Sequence, residues 1–550
     1  MKTIRSCAVL SAHKKMTNKK RGWIQEKIMK VQIIYPNLNA EEGFNHGVAC
    51  LAGALKSAGH EVRLLNLNEC LYQVPSIEEI VKQVEEYHPG IVAFSVQTMQ
   101  YAYAKQISQA IRQARPEIHQ VVGGVHATLC LQEMIAEKYW PVIGYGECDT
   151  LLTELVDRIE AGKDFSDLSN LAIRQNDGNY KINPLGPYPV LAELPPEDYE
   201  IFDLDHLLPK KNGWMSMLTS RGCPYRCSYC FNYELSSLYA TQGHPRREYL
   251  RRYPVERVIS EIIELTSKHP ALEMIIFDDD LFTLDTAWVV KFAQAYNSAN
   301  LKIPFVVNAH VQSFNEECAR ALSTTPCRIV KFGVEAGSDS LRRTFLKRFM
   351  TNDQIADAFA LCKKYNLHSS AFLMIGMPGE TIAQMNETID LMVRIKPGRM
   401  RWSVFYPFPG TLSYKLAQEW KKIDFDRLKK LDNYFVTTAL KFDPETELFV
   451  NKLQRVFHWY VNARIDGPAA EIYQAELKKI ESMNLTTWAA NRDRVLEIDR
   501  QISDNLLHHG VDHYSIRYTE VMAVHSQYLL KEDIKYRNQK TRAWKASAKE

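Results

Sequence analysis

Three of the chain's 11 cysteines stand within eight residues: Cys223, Cys227 and Cys230, in RGCPYRCSYCFN at 221–232. The spacing is C-x3-C-x2-C, with Gly222 and Pro224 restricting the backbone and Tyr225 and Tyr229 interleaved. Thiolates are soft ligands suited to zinc or to iron–sulfur clusters. Structural zinc asks for four closed protein ligands. Here no fourth Cys or His follows at motif spacing, and His206 and His244 flank the stretch at a distance. Three thiolates on a four-iron cluster leave one iron open to the amine and carboxylate of a small molecule. The reading therefore favours an open [4Fe-4S] cluster over zinc, and both over three structural thiols. The other eight cysteines are scattered and do not form a secreted disulfide framework; a reducing cytoplasm suits the trio.

The remaining residues with chemical potential fall where apolar runs end. Asp278, Asp279 and Asp280 close EMIIFDDD; Asn308 and His310 close FVVNAH; Glu335 closes IVKFGVE. Gly376 closes SSAFLMIG with Pro378 just beyond it, and Tyr406 and Pro407 end RWSVFYP. Asp279 and Tyr406 are the candidate catalytic side chains, although an aspartate here could equally cap the following helix. Nearer the N-terminus, Ser95, Gly123, Gly124, Gly144 and Gly146 sit at run ends, where small residues let a backbone approach a bulky ligand. Tight turns needed only for folding are the competing explanation.

The elements that must position these residues follow from hydrophobic periodicity. Over 30–170, short strands (VQIIY, EVRLLNL, GIVAFSV, QVVGGVH, PVIGYG) alternate with helices, which gives a doubly wound parallel sheet with ligands at its carboxyl ends. Residues 171–212 include the proline-rich NPLGPYPVLAELPPEDYE and read as a linker. Over 213–425 six strands separated by helices form a partial (β/α)6 barrel, whose chemistry belongs at the strand carboxyl ends. Residues 426–550 read as a helical C-terminal region without a chemistry motif. Residues 1–29 read as a disordered basic extension, since 1–30 hold nine Lys or Arg against one Glu.

The 550 residues are 46% hydrophobic and 24% charged, enough to bury several cores. A net charge of +3 gives no whole-protein argument for nucleic acid. No apolar run reaches the length of a membrane helix.

The cysteine loop at the end of the first barrel strand resembles that of the radical S-adenosylmethionine (SAM) superfamily. FDDDLFT resembles the family's F-x-D-D-x-F stretch through Phe277, Asp279, Asp280 and Phe282. FGVEAGSDSL resembles its G-x-E-S-G-S stretch, with Ala336 in place of the usual Ser; LMIGMPGET and YPFPGT resemble two more stretches. The resemblance implies that Cys223, Cys227 and Cys230 hold the cluster and that Tyr229 packs near the adenine of SAM. It also implies that Glu335, Ser338 and Gly376 help to bind SAM. VGGVHATL, GYGECDTLL and HGVACLAGALKSAGHEV resemble the cobalamin-binding domain fused ahead of this core in one subgroup, so the N-terminal sheet is cobalamin-binding-like. D-x-H-x-x-G is absent, leaving the lower cobalt ligand unassigned, and NAH at 308–310 stands where many relatives carry an Arg-containing stretch.

The resemblance implies reductive cleavage of SAM and methylation of an unactivated carbon on a small-molecule, lipid or peptide substrate. An external electron donor such as flavodoxin or ferredoxin is implied, and no nucleic-acid partner. Oxidative cyclases or rearranging enzymes are the rivals within this architecture, with methylthiotransferases behind them. A cobalamin-binding regulatory protein and a zinc module are the non-enzyme rivals.

Overall fold

The structure, a computed structural model, describes residues 28–40, 43–431, 437–516 and 523–525. The basic extension falls outside it except for residues 28 and 29. An N-terminal sheet holds β1 (Lys30–Pro36), β2 (Glu61–Leu67), β3 (Ile91–Ser95), β4 (His119–Gly123), β5 (Val142–Gly144), β6 (Leu171–Arg174) and β7 (Tyr180–Ile182). Their order is β2-β1-β3-β4-β5-β6-β7. The first five are parallel, as the alternation with helices predicts. Val31, Ile33 and Ile34 of β1 are almost fully buried, because helices cover both faces of a parallel sheet. Local signals agree: the helix Ile77–Tyr87 starts on a capping box between Ser76 and Glu79.

The linker expectation needs correction. Its first residues belong to the sheet, where β6 and β7 form an antiparallel hairpin on the β5 edge. Gly178, at φ 81°, supplies the turn. The proline-rich stretch that follows is ordered by side chains. Arg257 donates to the carbonyls of Leu191, Leu194 and Pro195. A Cβ on Gly53 would stand 2.1 Å from Pro196 O, so the helix His46–Ser57 packs directly on this stretch.

The second sheet contains β8 (Trp214–Met217), β11 (Met274–Phe277), β12 (Phe305–Ala309), β13 (Cys327–Glu335), β14 (His368–Ile375) and β15 (Arg399–Val404). These are the six expected strands, parallel and in chain order, and they form a half-barrel. A short ribbon, β9 (Ser220–Arg221) with β10 (Arg251–Arg252), leads into the cysteine loop. The C-terminal region is helical, with one difference. Its strand β17 (Ala523–His525) pairs antiparallel with β15, and β16 (Ser515–Ile516) pairs antiparallel with β17. No helix among the described residues is long and apolar enough to cross a membrane.

Candidate active site

Gly222 opens the cysteine loop at φ 97°, and a Cβ there would lie 2.2 Å from Tyr249 O, so only glycine fits. The loop is then pinned by Ser228, which donates through N to Leu346 O (3.1 Å) and through Oγ to Phe345 O (2.7 Å). Cys227 is buried; Cys223 and Cys230 are half-buried. Burial pushes the Cys223 and Cys230 thiols up to about 12, and the nearby Asp280 and neighbouring cysteines push the same way. Two thiols that cannot easily ionise alone are therefore gathered with Cys227 where a cation would ionise them. N–H donors already point at the sulfurs. Arg348 Nη1 lies 3.3 Å from Cys227 Sγ, and Asn232 Nδ2 lies 3.6 Å from Cys230 Sγ. Thiolates with N–H donors around them fit an iron–sulfur cluster.

The aspartates are divided by geometry. Asp279 is fully buried and accepts from Thr219 N, Thr219 Oγ1 (2.8 Å) and Ser220 Oγ. Burial raises its carboxyl to about 6 despite these bonds. It clamps the turn that launches the cysteine loop, so the structure gives it a positioning place rather than an open face. Asp280 accepts from Gly222 N (3.3 Å) and Asn232 Nδ2 (2.6 Å), fixing the loop from the other side. Asp278 remains exposed at the half-barrel mouth.

Tyr229 and Glu335 meet: the hydroxyl donates to Glu335 Oε1 at 2.9 Å. Glu335 sits at φ 67°, at the register shift that ends β13. A non-glycine residue in the left-handed region costs about 1–3 kcal/mol and persists where surroundings over-determine it. Here Arg348 does so, reaching Tyr229 Oη (3.3 Å) and Gly333 O (2.5 Å). Ser338 is buried at the start of the helix Asp339–Thr344 and makes no side-chain cap. Gly376 takes φ 71°, and Glu380 accepts from Met377 N (3.0 Å) to close that loop. Tyr406 is buried, its ring 4.7 Å from Phe408. The loop beyond it reaches the cysteines, since Ser413 N donates to Ser228 O at 2.8 Å.

The N-terminal glycines also separate. A Cβ on Gly124 (φ 99°) would fall 2.7 Å from Val96 O, and one on Gly146 (φ 75°) would meet Leu185, Tyr239 Oη and Asn170. Both are spent on packing, and Gly146 on contact with the second domain. Gly123 and Gly144 face each other at ordinary contact, and Ser95 pairs with Gly123 in register. These three form a small-residue edge at the carboxyl ends of β3, β4 and β5.

Periodicity does not reveal how the two sheets meet. Arg221, directly before Gly222, donates to Glu147 Oε2 (2.9 Å) and to both oxygens of Asp149 (2.8 Å each). Arg251 also pairs with Glu147. Gly146, Glu147 and Asp149 follow β5, so the carboxyl ends of the first sheet rest on the cysteine loop. Arg221, Arg251, Glu147, Asp149, Asn232 and Arg348 were all missed from sequence. The only available signal was the position of Arg221 and of GYGECD beside motifs already noticed.

The family model described as the radical SAM superfamily matches residues 217–392, and that of the B12 binding domain matches residues 40–155. An uncharacterized methyltransferase of Pyrococcus horikoshii is 25% identical over 428 residues, 74% of this chain and 89% of that protein. The anaerobic magnesium-protoporphyrin IX monomethyl ester cyclase of Rubrivivax gelatinosus is 23% identical over 432 residues, 76% of this chain and 74% of that one. Among solved structures, the cobalamin-dependent S-adenosylmethionine radical enzyme OxsB, with aqua-cobalamin and S-adenosylmethionine bound, superposes with a TM-score of 0.62. That match is 15% identical and covers 88% of this chain and 76% of that one, a likeness of fold.

Proposed function

We propose that this chain, whose residues 217–392 match the radical SAM superfamily and whose residues 40–155 match the B12 binding domain, methylates an unactivated carbon of a small-molecule, lipid or peptide substrate. The observation that carries this reading is the seating of β5's carboxyl end on the cysteine loop through Arg221, Glu147 and Asp149. A ligand on the small-residue edge and one in the loop would share a single space.

In this reading Cys223, Cys227 and Cys230 hold the cluster, and Tyr229, Glu335, Ser338 and Gly376 bind SAM. Ser95, Gly123 and Gly144 border cobalamin. When bound, these groups supply electron transfer, carbon radical chemistry and a transferable methyl group. The chain's own contribution is placement. Asp279 and Asp280 fix the loop's start and Ser228 its centre. Arg348 holds Tyr229 and Glu335 in one arrangement, and Tyr406 forms a wall at the end of β15. The contact between domains excludes water. An external electron donor and a reducing cytoplasm complete the proposal.

The test begins with anaerobic purification, cluster reconstitution and added hydroxocobalamin. Iron, sulfide and cobalt are then measured for wild type and for a Cys223→Ala, Cys227→Ala, Cys230→Ala variant. About four irons and about one cobalt per chain are expected, with the iron lost in the variant. A methyl group from isotopically labelled SAM should then appear in product. Iron without cobalt, or SAM cleavage without methyl transfer, would replace methylation with cyclase-type chemistry. Zinc in place of iron would overturn the enzyme reading.

A further inference from the structure

The cysteine loop is covered on one side by the N-terminal domain, through Arg221 and its two carboxylates. On another side it comes close to solvent. A cavity of about 200 Å³ is lined by Tyr225, Cys227, His310 and Arg348. The Tyr225 and His310 rings stack at 3.8 Å. Pro224, Arg226, Gln312, Lys347 and Phe349 complete the lining. Phe349 is 57% exposed, a large apolar side chain left in water beside cations. Lys347 is held at φ 56°, an uncommon conformation for a lysine, which the fold retains directly before Arg348.

The charges here are unbalanced. Neither Arg226 nor Lys347 has a carboxylate partner among the described residues, whereas nearby Arg343 is neutralised by Asp339. On the helix Glu316–Ser323 that follows Gln312 in the chain, Glu316 is engaged by Lys364 and Tyr365. An exposed aromatic flanked by unpaired cations is the composition of a small, electrostatically steered interface for an acidic protein.

We propose that the face formed by Arg226, Lys347 and Phe349 docks an acidic one-electron carrier protein, of flavin or iron–sulfur type, and that electrons enter beside Cys227. This rests on the radical SAM reading. One electron leaves the carrier, which is oxidised, and is consumed in breaking one carbon–sulfur bond of the SAM sulfonium. Methionine and a 5′-deoxyadenosyl carbon radical result. The carrier departs afterwards, which suits a weak contact whose attraction salt can screen.

The experiment uses the reconstituted full-length chain, with a flavodoxin and a ferredoxin as probes. Binding of each oxidised carrier is measured by calorimetry at low and high salt. 5′-Deoxyadenosine formation is measured with each reduced carrier and, separately, with dithionite. Arg226→Glu with Lys347→Glu should weaken carrier binding about tenfold or more and abolish its salt dependence. The same variant should lose carrier-driven 5′-deoxyadenosine while dithionite-driven cleavage stays at wild-type level. Phe349→Ala should weaken binding without changing the salt slope. Unchanged binding in the charge-reversed variant, or no binding of either carrier to wild type, overturns the proposal. Loss of dithionite-driven cleavage in the variant also overturns it, since the face would then belong to the chemistry. Absence of dithionite-driven cleavage in wild type would instead refute the radical SAM reading itself.

Discussion

Arg348 places one guanidinium nitrogen 3.3 Å from Cys227 Sγ and the other on Gly333 O. It is a buried cation, and its charge is repaid by Tyr229, Cys227 and Glu335. A positive charge beside a cluster sulfur stabilises the reduced, more negative form. Arg348→Met should lower the midpoint potential of the reconstituted cluster by about 60 mV or more, roughly 1.4 kcal/mol for one electron. Arg348→Lys should recover most of that loss, whereas a merely structural role would shift melting and leave the potential in place. Redox titration followed by electron paramagnetic resonance reads it. Glu380 gives a pH prediction. Burial raises its carboxyl to about 8, so the folded chain keeps a proton that the unfolded chain releases near the ordinary carboxylate value. Stability must therefore fall as pH rises towards about 8, by an amount on the order of a few kcal/mol. Glu380→Gln keeps an acceptor for Met377 N and should flatten that slope in urea denaturation from pH 5 to 9. The three cysteines were legible because their ligand chemistry is written in local spacing. Arg348 was not, because it lies 121 residues from the sulfur it touches, and nothing local distinguishes it from a surface arginine. Asp279 was legible as important but not as buried, since its partners Thr219 and Ser220 lie across a sheet register.

At the scale of elements, the six half-barrel strands were readable because each is an apolar run bounded by turn residues, and strand order follows chain order. The β6–β7 hairpin was not, because its strands are four and three residues long, too short for a period to show. The C-terminal helices were readable as amphipathic, but not where they dock. The helix Pro444–Asn462 is interrupted at Val456 (φ −124°, ψ 24°). There Trp402 Nε1 donates to Gln454 O at 2.8 Å, an acceptor that a regular helix gives to the amide of residue 458. Immediately beyond the kink, His458 Nε2 and Trp459 Nε1 both lie 2.7 Å from Asp499 Oδ1, all three groups fully or almost fully buried. This carboxylate keys the helix Arg494–His508 to the one that packs on β15. Asp499→Ala would leave two buried donors without an acceptor and should cost about 3–5 kcal/mol. Asp499→Asn, which can still accept, should cost clearly less. Denaturant melts with limited proteolysis of the 437–516 region separate the two variants.

Across the whole molecule, one ion cluster joins the sheets. Arg221 and Arg251 come from the β9–β10 ribbon that brackets the cysteines in the chain, and Glu147 and Asp149 from the turn after β5. Arg221 Nη2 also lies 3.2 Å from Cys50 Sγ on the helix His46–Ser57. The fields are strong enough to be seen in the titrating groups: Arg221 holds the buried Asp149 carboxyl below its ordinary value. Buried pairs are weak evidence for stability in themselves, because desolvation offsets much of the attraction, but removing one partner strands the other. Arg221→Met and Asp149→Ala should therefore each cost about 3–5 kcal/mol, and the double variant should cost less than their sum by about 1–3 kcal/mol. The same variants separate stability from docking. If the cluster sets the angle between the domains, hydrogen exchange will rise together at 145–149 and at 221–230. Cobalamin retention will then fall in both single variants, although neither residue lies on the small-residue edge of Ser95, Gly123 and Gly144. Exchange confined to the mutated segment, with cobalamin retention unchanged, would show that the domains hold their arrangement without this cluster, and that the apolar contacts around Gly146 and Tyr239 suffice.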